Sequence, residues 1–346
     1  MQILAVDEFL AQVISNKSLL IDARSESEFA HAHIPSAINV PLLNDEHRIL
    51  IGTCFKKEGR DAAVRLGFKL VGPLFHTFVE KVDSLTKEKE VLVYCWRGGM
   101  RSGMLSWILN IASYNVNILK GGYKGFRNNV LSEFKLKRNL GVIGGHTGVG
   151  KTELLLGLKS VNHQVVDLEG LANHRGSAFG HLGMKPQPSN EQFENNLALE
   201  LKLTDPQKII WVEAESRLIG KIKIPDDFFH QFDAAPIYEF ILEKVERVKR
   251  IEKEYAHFPK EELVKSVDRI KQRLGGLRHQ QCILALEENR TFDWISILLE
   301  YYDKLYSHST DSRSSENRFV IHMKNGNDLA DSINQLLQLT KNTSCV

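Results

Sequence analysis

The segment GHTGVGKT at residues 145–152 constrains the fold more than any other part of this 346-residue chain. It fits the phosphate-binding pattern G-x-x-x-x-G-K-[ST], follows an apolar run at 140–143 and opens a helical pattern at 151–158. This strand–loop–helix context disfavours a chance glycine-rich turn. The sequence therefore predicts an α/β domain that binds a polyphosphate.

Each residue type in this loop has a physical role. Gly145, Gly148 and Gly150 are expected to let backbone N–H groups converge on one anion, at the positive end of the following helix. Lys151 is expected to contact terminal phosphate oxygens, and Thr152 offers a hydroxyl suited to Mg²⁺. The motif predicts polyphosphate binding without specifying the reaction that follows.

The rest of the chain alternates short apolar runs with helical patterns, which predicts parallel sheets with helices between the strands. We predict a first domain at 1–130, a polar and basic linker at 131–138 and a second domain at 139–346. A mainly helical segment at 242–312 is expected within the second domain, because no strand pattern interrupts it. Strands are predicted at 19–22, 91–94, 117–119, 140–143, 164–167, 209–212, 237–241 and 318–323, and a last helix at 330–339.

Charge and hydropathy restrict the partners of the chain. Lysine and arginine number 45 against 43 aspartate and glutamate, so a nucleic-acid site must be a local patch. Residues 244–278 carry 11 basic and 6 acidic side chains, which fits either a phosphate-backbone contact or a solvated helix face. No basic leader is present and no apolar run reaches the ~20 residues that span a bilayer. We therefore expect a cytoplasmic protein with no membrane partner.

The segment CWRGGMRS at residues 95–102 is a second candidate anion site, and it follows a predicted strand. Backbone N–H groups, a helix N-terminus and the side chains of Arg97 and Arg101 favour thiolate over thiol at Cys95. We interpret Cys95 as a nucleophile in a loop that can wrap a tetrahedral anion; a buried structural cysteine is the alternative. The other three cysteines lack this setting and are expected to be structural.

Several segments of the first domain resemble rhodanese (sulfurtransferase) domains: IDARSESEF at 21–29, HIPSAINVP at 33–41 and LKGGY at 119–123. The resemblance implies a loop cysteine that carries sulfur or a related chalcogen. The C-x5-R loop is one residue longer than the usual sulfurtransferase loop and has the phosphatase-like length, which suits a phosphate-sized anion. Against a phosphatase, Tyr94 stands where those enzymes place histidine.

Motifs of the second domain extend the resemblance: DLEGLANHRGSAFG at 167–180, EAESRLIG at 213–220 and RLGGLR at 273–278. The chain resembles, nearly end to end, the bacterial tRNA 2-selenouridine synthase family. This implies an α/β chain in which a rhodanese-like domain precedes a P-loop NTPase-like domain with a helical insertion. The implied reaction converts wobble 2-thiouridine of tRNA to 2-selenouridine, by S-geranylation from geranyl diphosphate and then selenium exchange from selenophosphate.

The resemblance also implies roles for the two loops. The phosphate loop would hold the diphosphate, and the Cys95 loop would bind selenophosphate with Arg97 or Arg101 as a clamp. Cys95 would either take selenium or assist its delivery, and the residues leave both open. Besides tRNA, an enzyme that supplies selenophosphate is an expected partner. No tightly bound cofactor is expected, and Mg²⁺ is a candidate ion only.

Further candidates for the site or for tRNA contact lie in these motifs, and several have a structural alternative. Asp167, Glu169 and Glu213 follow predicted strands and either ligate Mg²⁺ or serve as caps. Trp96 is predicted either to stack on a base or to pack in the core, and His174 either to act in the site or to be structural. The remaining candidates are Arg175, Arg217, Arg273 and Arg278.

Two other functions fit the same motifs. A P-loop kinase or ATPase fused to a sulfur-relay or phosphatase-like domain would use nucleotide and would not need a prenyl diphosphate. A regulatory binding module, in which a nucleotide switch controls a sulfur-carrier surface, would not need the cysteine for catalysis. A preference for geranyl diphosphate over ATP favours the synthase over both.

Overall fold

The computed structural model describes residues 1–310, 317–325 and 328–343. The chain forms two compact units, each built around one five-stranded sheet in which all paired strands run parallel. Parallel strands are buried on both faces by the helices that connect them, which explains the short, continuous apolar runs in the sequence. The predicted α/β class is confirmed.

The first unit comprises Met1–Glu133 and Glu194–Leu199. Its elements are β1 (Gln2–Leu4), α1 (Val6–Ser15), β2 (Leu19–Asp22), α2 (Glu26–His31), β3 (Ile38–Asn39), α3 (Asp45–Glu58), α4 (Arg60–Val71), α5 (Phe75–Leu85), β4 (Glu90–Tyr94), α6 (Met100–Ile111), β5 (Asn115–Leu119) and α7 (Gly122–Glu133). The strand order is β1-β5-β4-β2-β3, so β4, which leads into the cysteine loop, is central.

The second unit comprises Phe134–Phe193 and the chain from Glu200 onward. Its strands are β6 (Leu140–Gly145), β7 (Gln164–Val166), β8 (Ile210–Glu213), β9 (Leu218–Ile219), β10 (Ile222–Lys223), β11 (Ile237–Ile241) and β12 (Arg318–His322). Its helices are α8 (Lys151–Ser160), α9 (Leu168–Ala172), α10 (Asn190–Lys202), α11 (Asp226–Ala234), α12 (Lys244–Tyr255), α13 (Lys260–Arg269), α14 (Lys271–Leu274), α15 (Gly276–Glu287), α16 (Thr291–Thr310) and α17 (Leu329–Thr343). The sheet order is β12-β11-β6-β8-β7, which places β6 at the centre.

Helices α12 to α16 lie between β11 and β12, in the segment predicted to be mainly helical. They enclose an apolar core of their own, whose members include Val248, Val267, Leu286 and Leu299. Residues 311–312, the end of the predicted segment, lie outside the described residues. This long helical insertion connects two adjacent strands. It adds side chains at the carboxyl edge of the sheet, where ligands of open α/β folds bind.

All eight predicted strands are present, with bounds that differ by no more than a few residues. The predicted linker begins too early, because α7 continues to Glu133. The sequence patterns missed β1, β3 and helices α3 to α5. Helix α3 was hard to recognise because none of its residues is fully buried and its apolar residues Ile49 and Phe55 are exposed, so no amphipathic stripe marks it.

Candidate active sites

The phosphate loop connects β6 to α8, as the motif requires. Gly145, Gly148 and Gly150 adopt φ angles of 135°, 83° and 92°, in the region that favours glycine. A Cβ atom at Gly145 would lie 2.5 Å from the carbonyl oxygen of Phe240 on the neighbouring strand β11. The loop therefore depends on glycine both for its backbone angles and for its close approach to the sheet.

Two polar side chains at the start of α8 face this loop. The Lys151 ammonium donates to the carbonyl oxygen of Gly145 at 3.4 Å, and the Thr152 hydroxyl donates to Glu169 Oε2 at 3.2 Å. Asp167 accepts a hydrogen bond from the Gly170 N–H at 2.7 Å and caps α9. Of the acidic candidates, Glu169 therefore lies against Thr152, whereas Asp167 takes the capping role.

Glu213 lies at the end of β8 and is only 1% exposed. Its Oε1 accepts a hydrogen bond from the Glu169 N–H at 2.7 Å, and its Oε2 is buried with no hydrogen-bond partner among the described residues. Burial raises the pKa of the Glu213 carboxyl well above its usual range, and the nearby carboxylates of Asp167 and Glu169 raise that pKa further. Glu213 thus fixes the position of Glu169 through the hydrogen bond to its backbone N–H.

We expect the Glu213→Gln variant to be more stable than the parent protein above about pH 5, with a gain that grows toward pH 8. A carboxyl whose pKa is raised in the folded state costs nothing while both states are protonated, and destabilises the fold once the unfolded state ionises. Glutamine keeps the acceptor for the Glu169 N–H without the charge. The measurement is the melting temperature of both proteins across this pH range; a gain of about 1 kcal/mol corresponds to ~2–4 °C.

The exposed Glu287→Gln substitution is the matched control, because it removes one carboxylate from the same unit without a burial penalty. It should leave the melting temperature within error at every pH. A Glu213→Gln variant that is equally destabilised at acidic and neutral pH would contradict the assignment of a raised pKa.

Beside the phosphate loop lies a cavity of about 120 Å³ whose lining combines polar and apolar side chains. The polar ones include Lys151, Thr152, Glu169, Arg175 and Glu254, and the apolar ones, which we call the apolar side, include Phe179, Ile251, Trp294, Leu298 and Tyr302. Most of the apolar side comes from α12 and α16 of the helical segment. The arrangement can bind a charged head group at one end and a hydrocarbon at the other.

Ion pairs and a hydrogen bond hold the helical segment together and connect it to the phosphate loop and to α8. Arg247 makes two hydrogen bonds of 2.8 Å to Asp303 and donates to the carbonyl oxygen of Thr147 at 3.3 Å, while Arg250 pairs with Glu153. Lys244 and Lys249 are also paired, with Glu300 and Glu246 respectively. These pairs engage four of the 11 basic residues counted between 244 and 278, which weakens the charge argument for a phosphate-backbone surface there.

The motifs of the second unit contain four arginines that were predicted to belong to the site. Of these four, Arg175 alone lines this cavity. Its Nε lies 3.1 Å from Glu254 Oε1, and its Nη1 donates to the carbonyl oxygen of Leu182 at 3.3 Å. The other predicted arginines do not line the cavity: Arg217 pairs with Asp226, Arg273 is exposed on α14 and Arg278 is half-buried on α15.

His174 is buried just after α9, and its Nδ1 has no hydrogen-bond partner among the described residues. Burial lowers the pKa of its imidazole, and the nearby His181 and Arg269 lower that pKa further. A neutral, buried imidazole that does not line the cavity fits the structural alternative better than a direct role in the site.

The cysteine loop leaves the centre of the first sheet at the end of β4. Cys95 is only 3% exposed, and its Sγ lies 3.2 Å from the Ser102 hydroxyl. The backbone N–H groups of Tyr123 and Lys124 donate to the carbonyl oxygens of Cys95 and Trp96 at 2.8 and 3.0 Å. The loop is thus pinned to the start of α7, and the thiol lies at its base.

Arg101 has a different role from the predicted anion clamp. It donates to both carboxylate oxygens of Glu28, at 2.6 and 3.4 Å, and Arg48 contacts the same carboxylate at 3.1 Å. Burial alone would raise the pKa of Glu28, but the hydrogen bond and charge of Arg101 outweigh it and that pKa is lowered. Arg101 therefore anchors the end of the loop to α2, and it is already paired.

Arg97 and Trp96 are both exposed in the cysteine loop. No carboxylate of the described residues forms an ion pair with Arg97, so its guanidinium is available to an anion. Trp96 is 40% exposed and packs at a tilt against Tyr123, with 5.8 Å between ring centroids. Trp96 is therefore not a core residue: it packs against the buried Tyr123 and part of its side chain remains accessible.

None of the described helices is both long enough and apolar enough to cross a lipid bilayer.

The two units and their loops define the class of the protein: a rhodanese-like domain with a loop cysteine, joined to a P-loop domain. Residues 5–129 match the rhodanese-like domain family, and residues 138–338 match the family described as the tRNA 2-selenouridine synthase AAA domain. The chain belongs to the tRNA 2-selenouridine synthase family, and it is an enzyme.

Curated relatives agree over most of the chain. The tRNA 2-selenouridine synthase of Shewanella sediminis is 35% identical over 334 residues, which cover 86% of this chain and 89% of the relative. The enzyme of the same name from Hydrogenovibrio crunogenus is 35% identical over 350 residues, covering 89% and 93%. That from Aeromonas salmonicida is 36% identical over 335 residues, covering 86% and 88%.

Proposed function

We propose that this enzyme converts wobble 2-thiouridine of tRNA to 2-selenouridine in two steps: S-geranylation from geranyl diphosphate, then exchange of the S-geranyl group for selenium from selenophosphate. The observation that carries the first step is the cavity beside the phosphate loop, where a polyphosphate cradle meets an apolar wall. A nucleotide substrate would not need this wall, whereas an allylic diphosphate has both a charged head and a hydrocarbon tail.

In the first step the sulfur of 2-thiouridine attacks the allylic carbon of geranyl diphosphate. The carbon–sulfur bond forms, the carbon–oxygen bond breaks, and diphosphate leaves with the electron pair. The N3–H proton of the nucleoside, which becomes acidic once the sulfur is alkylated, passes to water. Lys151 and the loop N–H groups stabilise the charge that develops on diphosphate, so no catalytic base is needed. The hydrocarbon packs against Trp294 and Leu298.

The size of the cavity limits how the chain binds. A cavity of about 150 Å³ holds the six carbons of benzene, so ten carbons need roughly 250 Å³. The observed 120 Å³ accepts only part of the chain, and the rest must displace an aromatic side chain such as Tyr302 or project from the mouth.

The oxygen donors beside the loop fit Mg²⁺. Thr152 and Glu169 would hold the ion together with diphosphate oxygens, and the ion would offset the charge of the leaving group. Among the described residues no group of three or more His, Cys, Asp or Glu side chains is placed to hold a metal ion.

In the second step the Cys95 loop binds selenophosphate, with Arg97 against its phosphoryl oxygens. We assign Cys95 the role of assisting delivery: its thiolate attacks phosphorus, the sulfur–phosphorus bond forms, and the phosphorus–selenium bond breaks with selenide leaving. Selenide then attacks C2 of the nucleoside and expels geranylthiolate, which takes a proton, while water hydrolyses the phosphocysteine. The alternative, transfer of selenium onto the sulfur, would leave phosphorus reduced by two electrons, so a phosphate product would require an oxidant.

A titration of the purified protein with geranyl diphosphate and with ATP tests the first step. We expect geranyl diphosphate to bind at least about tenfold more tightly than ATP and than inorganic diphosphate, because only the first of these fills the apolar side. The measurement is isothermal calorimetry with Mg²⁺ present. Tighter binding of ATP would replace this proposal by the kinase or ATPase alternative.

A further inference from the structure

The first unit carries a large apolar groove that has no role in the steps described so far. It lies among α3, α4, α5 and α6, has a volume of about 1070 Å³, and is lined by side chains that include Leu43, Ile51, Phe55, Phe68, Met104 and Trp107. Phe55, Phe68 and Trp107 are each more than half exposed. An open apolar groove of this size marks a binding surface, because isolated exposed side chains are common but contiguous ones are not.

The groove adjoins the end of the cysteine loop. Met100 and Arg101, which belong to the segment 95–102 and form the first turn of α6, both line the groove. Cys95 itself packs in the same apolar cluster as Leu42 and Val71, which form part of the groove lining. A ligand whose reacting atom lies at the cysteine loop can therefore extend an attached chain along the groove.

The charged side chains at the groove are all basic. Arg48, Lys56, Arg60 and Arg101 line it, and none of its lining residues, all of which the structure describes, is acidic. Arg48 and Arg101 share Glu28, whereas Lys56 and Arg60 form no ion pair with any described residue. An occupant that is apolar in the groove and anionic at its rim complements this surface.

We propose that this groove binds the geranyl chain of the S-geranyl nucleotide during selenium exchange, with the RNA phosphates at Lys56 and Arg60. This inference rests on the proposed function, which places an S-geranyl RNA at the Cys95 loop. Ten carbons need roughly 250 Å³, so the groove accepts the whole chain with room to spare. Burial of the chain aligns C2 with the incoming selenide and receives the apolar thiol as it leaves.

The test measures kcat/KM for selenium exchange on two anticodon stem–loop RNAs, one with S-geranyl-2-thiouridine and one with S-methyl-2-thiouridine. Selenium exchange expels a thiolate from both RNAs, but only the S-geranyl RNA carries a hydrocarbon chain long enough to reach the groove. We expect the full-length parent protein to prefer the S-geranyl RNA. The Phe55→Ser/Phe68→Ser variant should reduce this preference at least about tenfold, because it removes two aromatic contacts with the chain.

The matched control is Ile49→Ser/Ile111→Ser, which removes two equally exposed apolar side chains of α3 and α6 that do not line the groove. It should leave the preference unchanged. A parent protein with no preference, or a groove variant that slows both RNAs equally, would overturn the inference while leaving the two-step function in place. A parent protein that selenates neither alkylated RNA would refute the two-step function, and the inference with it.

Discussion

Replacement of Cys95 by alanine is expected to abolish selenium incorporation and to leave geranylation of 2-thiouridine RNA unchanged. The thiol lies at the base of a loop in the first unit, whereas the phosphate loop and its cavity belong entirely to the second unit. Loss of a catalytic nucleophile lowers turnover by several orders of magnitude, on the order of 10⁴-fold or more. The measurement is mass spectrometry of nucleosides from RNA incubated with geranyl diphosphate, selenophosphate and Mg²⁺.

The matched control is Cys54→Ala, a half-buried cysteine on α3 that does not line the groove. It should retain both activities. Peptide mass spectrometry of the parent protein, quenched during turnover, should detect a phosphorylated Cys95 peptide; selenium on that peptide would contradict attack at phosphorus. Loss of geranylation in a folded Cys95→Ala variant would contradict the division of labour between the loops.

Replacement of Lys151 by alanine is expected to reduce geranylation by about 10²–10³-fold, which is the usual cost of losing one preorganised group that stabilises developing negative charge. The Lys151 ammonium lies within the loop, 3.4 Å from the Gly145 carbonyl oxygen. Selenium exchange on RNA that already carries the S-geranyl group should proceed at the parent rate. The measurement compares both rates with synthetic RNAs.

Lys159→Ala is the matched control, because Lys159 is exposed in the last turn of the same helix α8. It should retain both rates. Normal geranylation by Lys151→Ala would remove the phosphate loop from the first step. Equal loss of both rates would mean that the two loops do not act separately.

The sequence predicted eight of the ten strands in the two five-stranded sheets, all except β1 and β3, because the information is local. The runs at 91–94 and 140–143 are short, apolar and followed by glycine-bearing turns, and both became central strands. One of these strands leads into the cysteine loop and the other into the phosphate loop, and each loop is recognisable from a short sequence motif. Backbone geometry of this kind depends on neighbours a few residues away, so a pattern in one segment is sufficient to recognise it.

The walls of the sites were not predictable in the same way. Trp294 and Leu298 line the cavity beside the phosphate loop although they lie about 140 residues farther along the sequence, on a helix that carries none of the quoted motifs. Arg101 looked like an anion ligand because it follows Cys95 at the right spacing, yet Glu28 on α2 neutralises it. Contacts between distant segments decide which of several suitable side chains remains available to a substrate.

The conformation of the cysteine loop also depends on a glycine that is distant in sequence, at the first position of α7. Gly122 has a φ of 58°, and a Cβ atom there would lie 2.2 Å from the carbonyl oxygen of Cys95 and 2.4 Å from the amide nitrogen of Gly98. The smallest version of the cysteine loop that can be transferred to another protein therefore consists of two separate segments. Protein engineers who graft residues 95–102 onto another scaffold must graft the glycine pair at 121–122 with it, because any other residue at 122 would force the loop open.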